Sequence, residues 1–176
     1  MKKALLVIDC QNEYYAAGGF PLWNMDGTVT NIKAAMKKAK EKGIPIILAQ
    51  HVFPKDSGMP AFIDGTPGDD IADEILAIAP DAPIVRKANA DVFLGAASDG
   101  TTFEEILTKL GVDEIIITGM MTHNCVCFTA LSKHAQKYTV KIIPEAVTTV
   151  SEIIHGLSLM GLADAGIPMV TLDDAL

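Results

Sequence analysis

Cysteine and positive charge are both scarce in this sequence of 176 residues. It has three cysteines, Cys10, Cys125 and Cys127, and so small and uneven a number does not form a disulfide framework. The cysteines are therefore considered for thiol chemistry. Lysine and arginine number 14 against 22 aspartates and glutamates, and the net charge of −8 offers no electrostatic surface to nucleic acid or an anionic membrane. No apolar run approaches the ~20 residues of a membrane-spanning helix. Neither a nucleic acid nor a membrane is therefore an expected partner.

Apolar residues, in contrast, are abundant. The hydrophobic fraction is 49% and the charged fraction 20%, which excludes a disordered chain. The length fits one domain over residues 1–176, able to bury a core without a metal or a disulfide. After the N-terminal lysines the chain enters a short apolar run that ends at Asp9, without the long apolar segment of a secretory leader. We therefore expect a cytoplasmic protein.

Short apolar runs rich in β-branched residues alternate with helical patterns. The predicted strands are Ala4–Asp9, Pro45–His51, Pro83–Lys87, Glu114–Thr118, Thr139–Ile143 and Pro168–Leu172. The predicted helices are Thr28–Lys42, Asp70–Ala79, a segment capped by Thr101 to Glu104 that stops at Gly111, Cys125–Lys137 and Ser151–Ala165. Most strand runs are continuously apolar, which is typical of parallel strands covered on both faces. The sequence therefore predicts an α/β fold, a single-domain three-layer αβα sandwich with a six-stranded parallel sheet.

Three residues with reactive side chains follow predicted strands. Asp9 ends the first strand, Lys87 ends the third, and Cys125 lies seven residues beyond Thr118 at the end of the fourth. Each alone has an ordinary explanation: a turn carboxylate, a solvated lysine and a small buried apolar residue. Because doubly wound sheets bind ligands at the carboxyl ends of their strands, the joint occurrence favours a catalytic site.

The chemistry of a cysteine nucleophile explains why these residue types belong together. A free thiol has a pKa of ~8.5, and both the first turn of a helix and the Lys87 ammonium are expected to stabilise the Cys125 thiolate. Asp9 is predicted to take the thiol proton and return it to a leaving group. The backbone amides of Met121 and Cys125 are predicted to form an oxyanion hole.

Three segments resemble the isochorismatase-like cysteine hydrolase superfamily, which includes nicotinamidases, N-carbamoylsarcosine amidases and ureidoacrylate amidases. They are LLVIDCQNEY at Leu5–Tyr14, RKANADVF at Arg86–Phe93 and ITGMMTHNCVCFTA at Ile117–Ala130. The resemblance implies a catalytic triad of Asp9, Lys87 and Cys125, the residues already selected from the strand ends. It also implies a cis peptide at Met120–Met121 and a homo-oligomer, and the cysteine favours cleavage of an amide, ureide or imide C–N bond.

The segment after the second strand departs from the nicotinamidase pattern, in which Gln-Asp-x-His-Pro binds a metal ion. Here His51 stands at the position of the metal-binding aspartate and Phe53 at that of the histidine. No other histidine occurs before His123. We therefore expect no such metal and no cofactor, and the departure counts against nicotinamide as the substrate.

Candidate substrate contacts lie in the loops after the first two strands. They are Tyr14, Trp23, His51, Phe53 and Phe62. The aromatic residues are predicted either to form a pocket for a flat or apolar substrate or to anchor these loops to the core. His51 has two interpretations, a hydrogen bond to a substrate carbonyl or a structural role in its loop. His123 is close to Cys125 along the chain, but its side chain is predicted to point away from the nucleophile.

The predicted function is hydrolysis of an amide- or ureide-type C–N bond in a small molecule, through a Cys125 thioester. Two alternatives stay open. An enzyme of the same fold could cleave an enol ether or an ester, and a non-enzymatic redox sensor could use Cys127 or Cys10 as the resolving thiol. The presence of Asp9 and Lys87 favours an enzyme, because a sensor has no need of a carboxylate that returns a proton.

Overall fold

A parallel β-sheet forms the centre of the computed structural model, which describes residues 1–176. Its strands are β1 (Lys3–Ile8), β2 (Ile46–His51), β3 (Ile84–Lys87), β4 (Glu114–Met120) and β5 (Thr139–Thr148). They lie in the order β3-β2-β1-β4-β5, and every neighbouring pair is parallel. The chain proceeds outward from β1 in both directions, so the topological switch point lies at the carboxyl end of β1, beside Asp9.

Six α-helices connect or flank the strands. They are α1 (Met25–Glu41), α2 (Asp73–Leu76), α3 (Phe103–Leu110), α4 (Cys127–Ala130), α5 (Glu152–Asp164) and α6 (Leu172–Ala175). Short 3₁₀ turns cover Asn12–Tyr14, Val92–Leu94 and Ala135–Lys137. None of the helices combines the length and apolarity needed to cross a bilayer.

The sheet separates two hydrophobic cores, because successive residues of β1 point to opposite faces. Leu5 belongs to the same buried cluster as Ile32 of α1 on one face. Leu6 belongs to the same buried cluster as Phe103 of α3 on the other face. Each such large side chain contributes roughly 1.5–3 kcal/mol when it leaves water. The predicted three-layer αβα arrangement is confirmed.

The predicted sixth strand, Pro168–Leu172, is wrong, since the sheet has five strands. Only Met169 pairs with β5, through a single bridge to Ile142. The Ile142 amide donates to Pro168 O at 3.0 Å, and the Val170 amide donates to Ile142 O at 2.9 Å. The pairing stops there because proline has no N–H and Thr171 already caps α6.

The helix predicted over Cys125–Lys137 is divided into shorter segments. A π-helical turn spans Thr122–Val126, α4 follows it, and the last part is a 3₁₀ turn. Near the break, the His134 amide donates to Ser132 Oγ at 3.2 Å, a local bond that competes with the helical one. Cys125 therefore lies in the π-helical turn and not in the first turn of an α-helix.

The capping box of α3 lies one residue later than predicted. Thr102 is the N-cap, and its amide donates to Glu105 Oε2 at 2.8 Å while its hydroxyl accepts from the Glu105 amide at 3.3 Å. Thr101 instead belongs to the preceding turn, where its amide donates to Asp99 Oδ1 at 2.9 Å. Two adjacent threonines followed by two glutamates fit the motif in either register, so the motif alone could not select between them.

Candidate active site

The three residues selected from the strand ends meet at the carboxyl edge of the sheet. Lys87 Nζ lies 2.8 Å from Asp9 Oδ2 and 3.3 Å from Cys125 Sγ. All three residues are buried. They are brought together by β1, β3 and the turn after β4, although 78 positions separate Asp9 from Lys87 along the chain.

The backbone around Asp9 is shaped by the close approach of β1 and β4. Asp9 has a φ of +53°, a left-handed conformation that aspartate tolerates better than most residues. Gly119 of β4 pairs with Ile8, and a Cβ at this glycine would lie 2.1 Å from Ile8 O. Glycine is therefore required at 119 for β4 to deliver the nucleophile turn next to Asp9.

The nucleophile turn begins with a cis peptide between Met120 and Met121, as the resemblance implies. The π-helical turn that follows contains Cys125, and Met121 O accepts from the amides of Asn124 and Val126. Met121, Asn124 and Cys125 all line the same cavity. The backbone of this turn is thus next to the space into which the sulfur opens.

The charge states of the site follow from burial and from the short distances. Burial by itself lowers the pKa of Lys87, but the neighbouring Asp9 and Cys125 more than offset it, so the pKa is raised and the side chain remains an ammonium. Burial, followed by the charge of Asp9, raises the pKa of the Cys125 thiol, and Lys87 lowers it only in part. Desolvation therefore penalises the anion more than the one ammonium stabilises it, and the net effect on the pKa of the thiol is opposite to the one expected from Lys87 and a helix N-terminus.

One carboxylate oxygen of Asp9 accepts no hydrogen bond. Asp9 Oδ2 accepts from Lys87, whereas Oδ1 is buried without a partner. A carboxylate oxygen of Asp9, a ring nitrogen of His51 and the sulfur of Cys125 lie within 4.8 Å of one another. An unpaired buried acceptor costs free energy, roughly 1–3 kcal/mol, and here it is available to receive a proton.

His51 is the fourth polar side chain of the site. Its Nδ1 lies 3.0 Å from Lys87 Nζ and 3.9 Å from Cys125 Sγ. Its ring packs edge-on against Phe53 and Phe62, at centroid distances of 4.6 Å and 5.7 Å. Burial, assisted by the charge of Lys87 and opposed by Asp9, lowers the pKa of His51 from 6.5 to about 4. The imidazole is therefore neutral at physiological pH.

Gln11 is a buried residue of the site that the sequence analysis missed. Its Nε2 donates to His51 O at 2.8 Å and to Asp69 O at 2.7 Å, and its Oε1 accepts from the His51 amide at 2.8 Å. The side chain thus continues the backbone pairing of β1 and β2 past the end of β1. Its position two residues after Asp9, within the first segment of the resemblance, is the signal that could have identified it.

A cavity of about 240 Å³ opens onto the sulfur of Cys125. Its lining is mostly apolar and consists of Tyr14, Phe20, His51, Phe53, Met59, Pro60, Ala61, Phe62, Met121, Asn124 and Cys125. Four of the five predicted substrate contacts are therefore in its wall. Trp23 is not among them, because it packs against His155 at a centroid distance of 5.4 Å.

A larger cavity lies at the opposite end of the sheet. It has a volume of about 760 Å³ and surrounds Pro45 and Pro83, which precede β2 and β3. Neither a cysteine nor a histidine lines it. Size alone would therefore select the wrong end of the molecule for chemistry.

The remaining histidines and cysteines point elsewhere. His123 is exposed, and its Nδ1 contacts the hydroxyl of Thr149, so its side chain is turned away from Cys125 as expected. Cys10 is buried in the core on the α1 side of the sheet, whereas Cys125 belongs to the cluster on the α3 side. Cys127 is half-buried. No disulfide joins these cysteines.

The residues of the site do not fit the metal ion of the nicotinamidase pattern. The position of the metal-binding histidine holds Phe53, which has no ligand atom. Asp9, His51 and Cys125 have the spacing of a metal site, but the Lys87 ammonium contacts a ligand atom of each at 3.3 Å or less. A cation already occupies their centre, so a metal ion there would meet strong repulsion.

A parallel α/β sheet thus holds a buried carboxylate, ammonium and thiol at its carboxyl edge. The family model for the Isochorismatase domain matches residues 3–174, and the chain belongs to this family of hydrolases.

Relatives of known sequence agree with this assignment. The secreted isochorismatase effector Isc1 of Verticillium dahliae is 32% identical over 143 residues, which cover 81% of this chain and 70% of that protein. Nicotinamidase 3 of Arabidopsis thaliana is 29% identical over 171 residues, covering 91% of this chain and 80% of that protein.

Solved structures share the fold. An isochorismatase-like hydrolase from Alkaliphilus metalliredigens matches with a TM-score of 0.87 and 23% identity, over 99% of this chain and 97% of that one. The nicotinamidase PncA of Bacillus subtilis matches with a TM-score of 0.82 and 22% identity, over 97% of this chain and 99% of that one. At these identities the likeness is one of fold.

Proposed function

We propose that the protein is a cysteine hydrolase that cleaves an amide- or ureide-type C–N bond of a small molecule through a Cys125 thioester. The observation that carries the proposal is the Lys87 ammonium, 2.8 Å from Asp9 and 3.3 Å from a sulfur that opens onto a cavity. The three groups are those that nucleophilic acyl transfer requires: a nucleophile, a base and a fixed positive charge. The same residues are proposed as the catalytic triad.

In the first step the sulfur attacks the carbonyl carbon of the substrate. Burial and Asp9 raise the pKa of the thiol, so we assign the loss of its proton to the formation of the C–S bond, with the unpaired Asp9 Oδ1 as the acceptor. Proton transfer of this kind contributes typically 10²–10⁴-fold to the rate. The carbonyl oxygen becomes an oxyanion, and we assign its stabilisation to the amides of Met121 and Cys125.

In the second step the protonated Asp9 gives its proton to the departing nitrogen, which leaves as an amine or as ammonia. The C–N bond breaks and the acyl group remains on Cys125 as a thioester. Asp9 then takes a proton from water, whose oxygen attacks the carbonyl carbon of the thioester. The C–S bond breaks, the carboxylic acid leaves, and Asp9 returns its proton to the departing sulfur, which restores the starting thiol and carboxylate. Throughout the cycle the Lys87 ammonium stabilises the negative charge on Asp9 and on the sulfur.

The size and lining of the cavity support a small and uncharged substrate. A volume of about 240 Å³ is below the ~300–1,000 Å³ of pockets for drug-sized ligands. Aromatic rings of Tyr14, Phe53 and Phe62 line it, and no lysine or arginine does, so nothing there would pair with an ionised carboxylate. These contacts support a flat or apolar acyl group.

The alternatives have less support. A redox sensor needs an accessible thiol of low pKa, whereas burial and Asp9 raise the pKa of Cys125. Cys10, one of the two candidates for the resolving thiol, lies in the core on the opposite side of the sheet from Cys125. Cleavage of an enol ether would not use the sulfur as a nucleophile, so the contact of Lys87 with Cys125 favours the amide.

The test is a screen of small amides and ureides for ammonia release by the native protein and by Cys125→Ala. The native protein is expected to release ammonia from at least one compound and to form an acyl adduct on Cys125 that intact-mass measurement detects. Cys127→Ala is the matched control and is expected to retain turnover, since Cys127 lies outside the cavity lining. Native turnover by Cys125→Ala would disprove the covalent mechanism. Hydrolysis of an enol ether or an ester without ammonia release from any amide or ureide would favour that alternative, and of the two only the ester would leave an acyl adduct on Cys125.

We also propose that the protein forms a homo-oligomer through the outer face of α5. Ile153, Leu157 and Met160 are all more than half exposed there, and no charged residue stands between Glu152 and Asp164. Apolar patches of this kind mark interaction sites, and a second copy presents the same uncharged face. Leu157→Glu is expected to lower the mass measured by light scattering, whereas Leu94→Glu, at an exposed leucine elsewhere, is not; equal effects would contradict the assignment.

A further inference from the structure

His51 makes a contact that its neighbours in the cavity wall do not. His51 ends β2, and its ring is part of the lining of the cavity. Its Nδ1 lies 3.0 Å from the Lys87 ammonium, which also contacts Asp9 and Cys125. The other aromatic residues of the wall have no polar contact with the triad. This contact distinguishes His51 from a residue that only fills space.

The hydrogen bonds of Lys87 determine the form of His51. A lysine ammonium has three N–H donors and no acceptor. Three acceptors surround it: Asp9 Oδ2 at 2.8 Å, His51 Nδ1 at 3.0 Å and Cys125 Sγ at 3.3 Å. Because the ammonium can only donate, Nδ1 carries the lone pair and the imidazole proton is on Nε2.

We propose that His51 is a positioning residue of this site: its Nδ1 lone pair holds the Lys87 ammonium between the Asp9 carboxylate and the Cys125 sulfur. The inference rests on the proposed function, because it assigns to His51 the placement of the charge on which the nucleophile depends. A metal ligand at this position would need the same lone pair that Lys87 engages.

Two features of the surroundings support the assignment. The charged and titratable groups that face the imidazole are Asp9 after β1, Lys87 on β3 and Cys125 in the π-helical turn, and the balance of burial and these charges keeps His51 neutral. Gln11 holds the backbone of His51 with two hydrogen bonds of 2.8 Å. A neutral ring on a clamped backbone is a rigid acceptor.

The loss of this acceptor has a defined consequence. Without it, one N–H of a fully buried ammonium has no partner, and the side chain moves toward its strongest remaining partner, Asp9. The separation of Lys87 from the sulfur then increases, and the thiolate that forms during attack is less stabilised. The reactivity of Cys125 should therefore report the placement of Lys87.

The experiment compares His51→Asn with His51→Phe. Asparagine carries an acceptor oxygen two bonds from Cβ, as histidine carries Nδ1, but loses most of the ring; phenylalanine keeps the ring and has no acceptor. The second-order rate of Cys125 alkylation by iodoacetamide, followed by peptide mass analysis against pH, is the measurement. We expect His51→Asn to stay near the native rate and His51→Phe to be slower by about tenfold, the effect of one hydrogen bond to a charged group.

A packing role predicts the opposite order, since the ring of His51 contacts Phe53 and Phe62. A faster reaction in His51→Phe than in His51→Asn would therefore overturn the proposal. Far-UV circular dichroism and thermal unfolding of both variants identify any loss of fold.

A second comparison keeps the test independent of packing changes. His51→Phe is also made in a Lys87→Met background, where the effect on alkylation should largely disappear if His51 acts through Lys87. An undiminished effect in that background would refute the positioning role. If Lys87→Met itself leaves the alkylation profile unchanged, the assigned role of Lys87 fails, and with it the proposed function, which separates the two failures.

Discussion

The two ends of the sheet each hold a buried carboxylate next to lysine, yet they differ in the solvent exposure of the lysine side chains. At the carboxyl edge Asp9 contacts Lys87 at 2.8 Å, and both side chains are completely buried. At the amino edge the buried Glu114 lies 3.0 Å from Lys141 and 3.8 Å from Lys3, whose side chains remain 24% and 31% exposed. The residue types are the same, but only the first pair is sealed.

This difference in exposure distinguishes a structural ion pair, at Glu114, from one that belongs to a functional site, at Asp9. Lys3 and Lys141 extend along the protein surface and keep part of their hydration, so they neutralise Glu114 at a modest cost. Complete burial of Lys87 and Asp9 costs several kcal/mol per ion, which a structural role does not require. The sealed pair has a thiol and a cavity beside it, and such costly charges are typical of functional sites.

The largest expected difference between the two ends is in activity. Asp9→Asn removes the proposed proton acceptor with little change in shape, and we expect the rate of ammonia release to fall by roughly 10²–10⁴-fold. Glu114→Gln is the matched control at the amino edge and should keep a rate within about threefold of the native one. Both rates are measured as initial rates on a substrate from the screen. Comparable losses in the two variants would contradict the assignment of the functional site to the Asp9 end of the sheet.

The next difference is in stability. Lys87→Met leaves the Asp9 charge buried and unpaired, and we expect the free energy of unfolding to fall by roughly 3–5 kcal/mol. Lys141→Met should lower it by less, since Lys3 still lies 3.8 Å from Glu114 and partly neutralises its charge. Urea unfolding followed by circular dichroism measures both, and a smaller loss in Lys87→Met than in Lys141→Met would contradict the account.

The smallest expected difference is in the pH dependence of stability. The pKa of His51 is about 4 in the folded protein and 6.5 ordinarily, so the unfolded chain takes up this proton first as the pH falls. The free energy of unfolding should therefore decrease from about pH 6.5 to about 4 through this residue.

The protein with His51→Asn lacks this contribution and serves as the reference. Asp69 acts in the opposite sense, because burial raises its pKa to about 6 and the folded protein then binds the proton first. Subtracting the unfolding free energy of His51→Asn from that of the native protein cancels the Asp69 contribution, which both proteins share. The native value should fall relative to the variant value as the pH is lowered. A difference that stays constant from pH 7 to 4 would mean that His51 does not titrate as described.

Local sequence patterns predicted the parts of the site that stand at strand ends. Asp9 follows the continuously apolar run 4–8, whereas Lys87 ends a shorter run that is interrupted by Arg86. The alternation of both runs with helical patterns predicted covered parallel strands. The same reasoning failed at Pro168–Leu172, because a short apolar run does not show whether its backbone has a partner. The pattern could not place Trp23 either, since a loop residue can turn toward the cavity or away from it; in the structure it packs on His155 and is not part of the cavity lining.

The sequence by itself determined the order of strands and helices and the carboxylate, lysine and cysteine that the strand ends present, since apolar periodicity and turn residues are local properties. Only the tertiary structure decided the raised pKa of the Cys125 thiol, the lowered pKa of His51 and the hydrogen bonds by which Gln11 holds the backbone of His51. Those properties depend on desolvation and on distances of about 3 Å between residues remote along the chain, and neither quantity exists until the sheet has assembled.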